Sequence, residues 1–439
     1  MHHTMTRPTL AVMAAAMLSL SPLASAQNLQ ELYDAARSYD AGFRAARASA
    51  ESAEYRAAQA EALRRPSASV NANATGNLLD LPRTSGSSTS VGGSVSARYP
   101  LYNRTNDATY SQAQKSLALS RSDLVAAEQD LIIRLSQAYF DVLAAQDALT
   151  TTRAAKAAIT EQLASAKRNF EVGTATITDT REAQARFDLA TAQEIATEND
   201  LRTKGIALDQ LVGRTNVAPK GLARPVLLPS TQPADAEAWV ARSESVHPTI
   251  QKARLALDLA QLESEKARAG RLPTVDAVGS VGASDASGKL ATTPGLSKSA
   301  TVGVQLSWPI YTGGAVENRL KETIALEEKA RNDLEAARRA VAQSTRQAYF
   351  GLQSGMAQVK ALEAAEASSQ LALEATQLGY RVGVRVNLDV LNAQTQLFTT
   401  QRDLAKARYD VVLANLRLRQ ASGLLKSEDL QPLNALLVR

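Results

Sequence analysis

With 439 residues the chain has room for two or three ordinary domains, yet its 45% apolar share leans on alanine and aromatics make up only 4%; this points to closely packed helices rather than an aromatic-rich core. The absence of cysteine excludes a disulfide framework, a thiolate metal site and a lipid anchor on Cys. A net charge of +5, from 49 basic and 44 acidic residues, is mixed rather than polybasic, so nucleic acid is not implied as a partner.

Residues 1–26 read as a secretory signal peptide. Arg7 precedes an apolar run from Leu10 to Leu20, and Ala24-Ser25-Ala26 forms a small-x-small cleavage site. The run is shorter than the roughly 20 residues of a spanning helix, so cleavage is expected after Ala26. Loss of Arg7 leaves a mature charge of +4. No later stretch offers the ~18 continuous apolar residues of a membrane helix, so any membrane span must be β.

Residues 27–216 read as a first repeat. A helix rich in Ala, Glu, Arg and Gln is expected over about Leu29 to Leu63. Two strands follow, at about 66–76 and 89–99. Ala68, Val70, Ala72 and Ala74 alternate with Ser67, Ser69, Asn71 and Asn73, and Val91, Val95, Ala97 and Tyr99 alternate with serines and Arg98. Period two with one apolar and one polar face is the transmembrane β-barrel pattern, although a soluble hairpin would share it. A turn is expected over Leu78 to Ser88. Tyr99, just before Pro100, stands where an aromatic meets a membrane interface. Asn106 to Phe170 holds no Pro or Gly, and a helix of that length reaches about 100 Å. Leu117, Leu124 and Leu131 recur every seven residues, the packing stripe of a coiled coil. A break at Gly173-Thr174 leads into a further helix.

The Pro-containing segment 217–233 reads as a linker, and residues 234–425 repeat the plan. Gln137-Ala138-Tyr139-Phe140 recurs as Gln347-Ala348-Tyr349-Phe350, a shift of 210. At that shift Phe170-Glu171-Val172-Gly173 matches Tyr380-Arg381-Val382-Gly383, Asp179 matches Asp389, and Gly213 matches Gly423. Tyr99-Pro100 pairs with Trp308-Pro309 at a shift of 209. The second helix is expected over about Asp235 to Ala269, with strands at about 273–284 and 299–310, a turn over Ser284 to Ser299, and an interface aromatic at Trp308. Residues 426–439 form a C-terminal tail, which with the linker is expected to make a collar.

Four strands cannot close a membrane barrel, since about eight is the smallest number known, and open edges are not tolerated in lipid. The chain must therefore share a barrel with copies of itself, whose number this pattern does not select.

The signal peptide, the repeated helix–strand–strand–long helix–helix unit, and the Tyr-x-Val-Gly break before Asp389-Val390-Leu391-Asn392-Ala393-Gln394 together resemble the TolC-like outer-membrane efflux family, over about Gln27 to Leu425. The resemblance implies a homotrimer with a twelve-stranded barrel in the outer membrane of a Gram-negative bacterium. Below it would hang a helical periplasmic tunnel, closed at its tip, that exports small molecules or polypeptides. A periplasmic membrane-fusion adaptor and an inner-membrane pump of RND or ABC type would be its partners, outer-membrane lipid its surroundings, and no cofactor is implied. By similarity, Tyr380 and Arg385 would bond Thr178 and Asp179 to hold the gate shut. Asp389 would form a ring on the axis able to favour cations. Where the TolC pattern carries a second aspartate, this chain has Asn392, so that ring is polar but uncharged. Gly173, Thr174, Gly383 and Val384 would be the tips that an adaptor grips.

Two rival readings exist: a periplasmic membrane-fusion adaptor and a structural coiled-coil protein. An adaptor would carry one helical hairpin, whereas two are expected here, and a plain rod would lack the strands. Catalysis is not expected. Outside the leader His247 is the only histidine, and no nucleophile–base set, metal cluster or phosphate loop is present.

Overall fold

The computed structural model describes residues 27–82, 84–223 and 232–437. The expected signal peptide, part of the linker and the last two residues lie outside them. The first half runs α1 (Leu29–Tyr39), α2 (Ala41–Ala62), β1 (Ser67–Leu81), β2 (Thr84–Tyr102), α3 (Arg104–Glu171) and α4 (Ile177–Val212). The second half repeats that order as α5 (Ala236–Val246), α6 (Pro248–Ala269), β3 (Thr274–Gly288), β4 (Gly295–Ser307), α7 (Ala315–Arg381) and α8 (Asn387–Ala421). A 3₁₀ turn at Ser427–Asp429 and a short α9 (Leu430–Asn434) close the chain.

Each expected leading helix is in fact two. Asp40 ends α1 and caps α2, its carboxylate accepting from Phe43 N at 2.7 Å while Arg134 holds it at 3.0 Å. His247 does the same for α6: its Nδ1 accepts from Thr249 N at 3.1 Å, and Pro248 sits in the first turn, where its missing N–H costs nothing. Burial holds the His247 imidazole below its usual pKa, which keeps the ring neutral and its Nδ1 free to accept.

The two breaks explain the repeated glycines. Gly213 ends α4 at φ +71° against Tyr39, where a Cβ would lie 2.4 Å from the ring. Gly423, just beyond α8 at φ +73°, abuts His247, where a Cβ would lie 2.5 Å from the backbone. The repeated Gln-Ala-Tyr-Phe motif has an equally local cause. Tyr139 Oη donates to Lys220 O at 2.8 Å and Tyr349 Oη to Ala234 O at 2.7 Å. Each tyrosine also packs edge-on against its following phenylalanine. Tyr139 lies in the largest core cluster, where α1, α3 and α8 meet Leu430, Leu433 and Leu437 of the C-terminal segment. Leu222 of the linker bridges Leu437, so linker and tail do come together beside this equatorial core.

The strands form one antiparallel sheet in the order β1-β2-β3-β4. They differ in extent from the sequence expectation. The Leu78–Ser88 stretch is mostly ladder, with Leu78 opposite Ser87 and Asp80 opposite Ser85, because Ser and Gly with no buried face still pair through the backbone. The expected turn over Ser284 to Ser299 likewise shortens to about 289–294. β4 stops at Ser307, before Trp308-Pro309, whereas β2 continues past the matching Tyr99-Pro100 to Tyr102 with a register shift at the proline. The register puts Val70, Val95, Val281 and Ala300 in one row across all four strands, and Gly279 beside Val302 in the next. That face is largely exposed, Val302 at 93%, with Val275, Ala277 and Gly279 of β3 half-buried.

A methyl at Gly423 should cost ~1–3 kcal/mol through the clash and the positive φ. Gly351, mid-helix in α7 with nothing within 4 Å of its Cβ position, should gain up to ~1 kcal/mol from the same change. Thermal unfolding of Gly423→Ala and Gly351→Ala should therefore shift in opposite directions.

Candidate gate and membrane surface

The helical hairpins end in two tips built alike. Val172 N, Gly173 N and Thr174 N return to Arg168 O, Phe170 O and Asn169 O at 3.1, 3.0 and 2.8 Å. Val382 N, Gly383 N and Val384 N return to Leu378 O, Tyr380 O and Gly379 O at 3.1, 3.1 and 2.9 Å. Both glycines are left-handed, φ +79° and +82°, as this αL helix stop requires. Thr174 and Val384 at the tips are exposed.

Past the turns the tips diverge. Thr176 and Asp179 form a reciprocal capping box for α4, with Thr176 N donating to Asp179 Oδ2 at 2.9 Å and Asp179 N to Thr176 Oγ1 at 3.2 Å. The matching residue on α8 is Val386, which has no side-chain acceptor. Asp389 receives only a long backbone bond, 3.4 Å from Val386 N, and shares its carboxylate with Arg385 at 3.6 Å.

The bonds expected from Tyr380 and Arg385 to Thr178 and Asp179 are not made within one chain. Tyr380 Oη instead accepts from Asn169 Nδ2 at 3.1 Å, linking the ends of α3 and α7. Arg385 stays on its own hairpin, its stem lying over the side-chain-free Gly379, and its side chain is 61% exposed. Thr178 is exposed and Asp179 is occupied by its cap. Asn392 accepts from Arg186 Nη2 of α4 at 3.0 Å. Gln162 of α3 donates to the buried Asn387 at the start of α8. Asn169, Gln162, Asn387 and Arg186 were not singled out in the sequence, since Asn169 falls on Gly379 and Arg186 on Gln396 at the 210-residue shift.

At the other end of the molecule, Tyr99 lies on the apolar face of β2, and Trp308 donates its Nε1 to Arg271 O at 3.2 Å while staying 60% exposed. Tyr102, Ile310 and Tyr311 extend this exposed aromatic–aliphatic band beyond the two residues the pattern marked. On the opposite face Arg98 bridges to the buried Asp276 at 2.5 Å, tying β2 to β3. No helix among the described residues is long and apolar enough to cross a membrane.

This architecture is that of a known class. The crystal structure of the outer membrane protein VceC from Vibrio cholerae superposes with a TM-score of 0.77 at 20% identity, covering 90% of this chain and 96% of that one. The fold is therefore that of an outer-membrane channel protein, a mixed assembly of long helices and strands. The chain belongs to the outer membrane efflux protein family, whose sequence pattern matches residues 32–214 and again 239–424. The outer membrane protein TolC of Vibrio cholerae serotype O1 is 32% identical over 424 residues, 96% of each chain. The alkaline protease secretion protein AprF of Pseudomonas aeruginosa is 33% identical over 344 residues, 77% of this chain and 70% of that one. The protein is thus an outer-membrane exit duct of a Gram-negative bacterium, in a family of channels rather than enzymes. The adaptor and coiled-coil readings fall with that membership.

Because the Thr176–Asp179 box secures the first turn of α4, Thr176→Ala should cost about 1 kcal/mol locally. Hydrogen exchange of the amides at 177–180 should accelerate about fivefold, with no matching change at 387–390.

Proposed function

We propose that three copies of this chain close a twelve-stranded barrel in the outer membrane, continued by a helical tunnel that is shut at the hairpin tips in the periplasm. The observation that carries this reading is the sheet: four strands with two unpaired edges, β1 and β4, and an apolar face left exposed. Hydrocarbon tolerates such edges only when they are joined to others. The matched tips, tyrosine bonds and glycine stops of the two halves support descent from one duplicated unit, with residues 27–216 and 234–425 as its copies. The Tyr99 and Trp308 bands would lie at the periplasmic interface, against lipid headgroups, with the β-turns facing outward.

At the tips the gate is read as an assembly between copies. Among the described residues the Arg385 guanidinium is bound only by the 3.6 Å pair to Asp389, a contact worth little while exposed. Its planar fork is suited to Thr178 and Asp179 of a neighbouring copy, and Tyr380 strengthens the same closure through Asn169. Asp389 repeats as an acidic ring and Asn392 as an uncharged one. Gly173, Thr174, Gly383 and Val384 meet a periplasmic membrane-fusion adaptor, coupled to an inner-membrane pump of RND or ABC type that selects small molecules or polypeptides as cargo.

In planar bilayers the wild-type protein should show a small, cation-preferring conductance that rises severalfold in the Tyr380→Phe, Arg385→Ser double variant. Equal conductance of the two proteins would remove these residues from the gate, and no conductance from a folded oligomer would refute the duct.

A further inference from the structure

Arg186 is a cation with a neutral partner. Its guanidinium donates to the amide oxygen of Asn392 at 3.0 Å, and no ion pair of it is formed among the described residues. Carboxylates of that wall are engaged elsewhere: Glu194 by Arg153 at 3.1 Å and Lys156 at 2.9 Å, and Glu198 by Arg153 at 2.5 Å. Arg186 therefore has no carboxylate within ion-pair distance among the described residues, Glu182 one turn before it on α4 being the nearest on its face of the helix.

Beside it runs a groove of about 260 Å³ between the α3–α4 hairpin and α8. Ile159, Leu189 and Phe398 line its body, Arg186 its end nearest the tip, and Arg402 its far end. Ten residues of helix separate Asn392 from Arg402, about 15 Å along α8. Among the described residues Arg402 is itself paired only with its neighbour Asp403, at 3.0 Å on the surface. Thr395, Thr399 and Arg402 stand three, seven and ten positions beyond Asn392, which puts them on the same face of the helix.

We infer that this groove is a binding site for amphipathic organic anions on the tunnel wall, just inside the constriction. This rests on the reading that Asp389 and Asn392 face the axis. An apolar body of two fused rings or a short alkyl chain fits the walls, and an anionic head pairs with Arg186, which Asn392 holds in place without neutralising it. The acidic Asp389 ring lies one turn nearer the tip, so the passage carries negative charge at the gate and positive charge immediately above it. Anionic cargo that has passed the gate would be held by this second site and kept from falling back.

The test uses single-channel recording of the full-length oligomer, with naphthalene-2-sulfonate added on the barrel side and its neutral analogue 2-naphthalenemethanol as comparison. The sulfonate should block wild type in a concentration-dependent way while the alcohol does not. Arg186→Gln should raise the half-blocking concentration about tenfold or more, and Arg186→Lys, which keeps the charge, should largely preserve block. If Arg186→Gln does not assemble, Arg402→Gln takes its place and should weaken block in the same direction. No block of wild type at millimolar sulfonate, or block unchanged by these substitutions, overturns the site. Asp389→Asn is measured alongside and should lower cation preference. An unchanged preference there, together with sulfonate block, refutes the axial ring while leaving the anion site standing elsewhere on the conduction path.

Discussion

An unpaired peptide group has nowhere to go in hydrocarbon. Each orphaned N–H or C=O costs several kcal/mol there, and this chain carries two free edges, on a β1 of 15 residues and a β4 of 13. About half the groups on an edge strand point outward, so the deficit in lipid would far exceed the 5–15 kcal/mol that typically holds a whole domain together. On the proposed reading, association therefore belongs to the fold of this protein. The same constraint explains why the β-face can be apolar and exposed in one chain, and why the sheet is tied internally by Arg98 and Asp276 rather than by a core.

The helical part obeys a different rule. Helices of 68 and 67 residues cannot share one compact core, and among the described residues the clustered buried hydrophobics form five separate groups. The largest apolar cluster lies at the equator, where two tyrosines bond backbone carbonyls and two glycines admit the helix breaks of their own half. Toward the tips the apolar clusters are smaller, one joining Ala166, Ala183 and Leu391 and one joining Leu373 and Val390, and polar pairs stand among them: Gln162 with Asn387, Asn169 with Tyr380, Arg186 with Asn392. Hydrogen bonds of this kind contribute about 1 kcal/mol each, so the tip can rearrange while the equator holds.

Much of this was legible from residues alone. Alternation marked the strands because side chains on a two-faced sheet must differ by face, and the 210-residue shift located Tyr139 with Tyr349 and Gly213 with Gly423 before their contacts were visible. Other features were hidden. The Ser- and Gly-rich ends of the strands have no buried face and so leave no alternation, which made Leu78–Ser88 read as a turn. The splits at Asp40 and His247 depend on Arg134 and Gly423, far away in sequence. At the tip, Arg186 and Asn169 lie where the two halves differ, so repetition could not reveal them, and the bonds expected from Tyr380 and Arg385 to Thr178 and Asp179 are not made within the chain, where Asn169 is the partner of Tyr380.

The claim on which everything else depends is that β1 of one copy joins β4 of the next, three times over. The chain has no cysteine, so single cysteines can be scanned in pairs along β1 and β4 and oxidised in the membrane. The account predicts cross-links between chains at matching register positions, in a ladder that ends at a covalent ring of three. Cross-links confined to single chains, or a ladder ending at any other number, would contradict it.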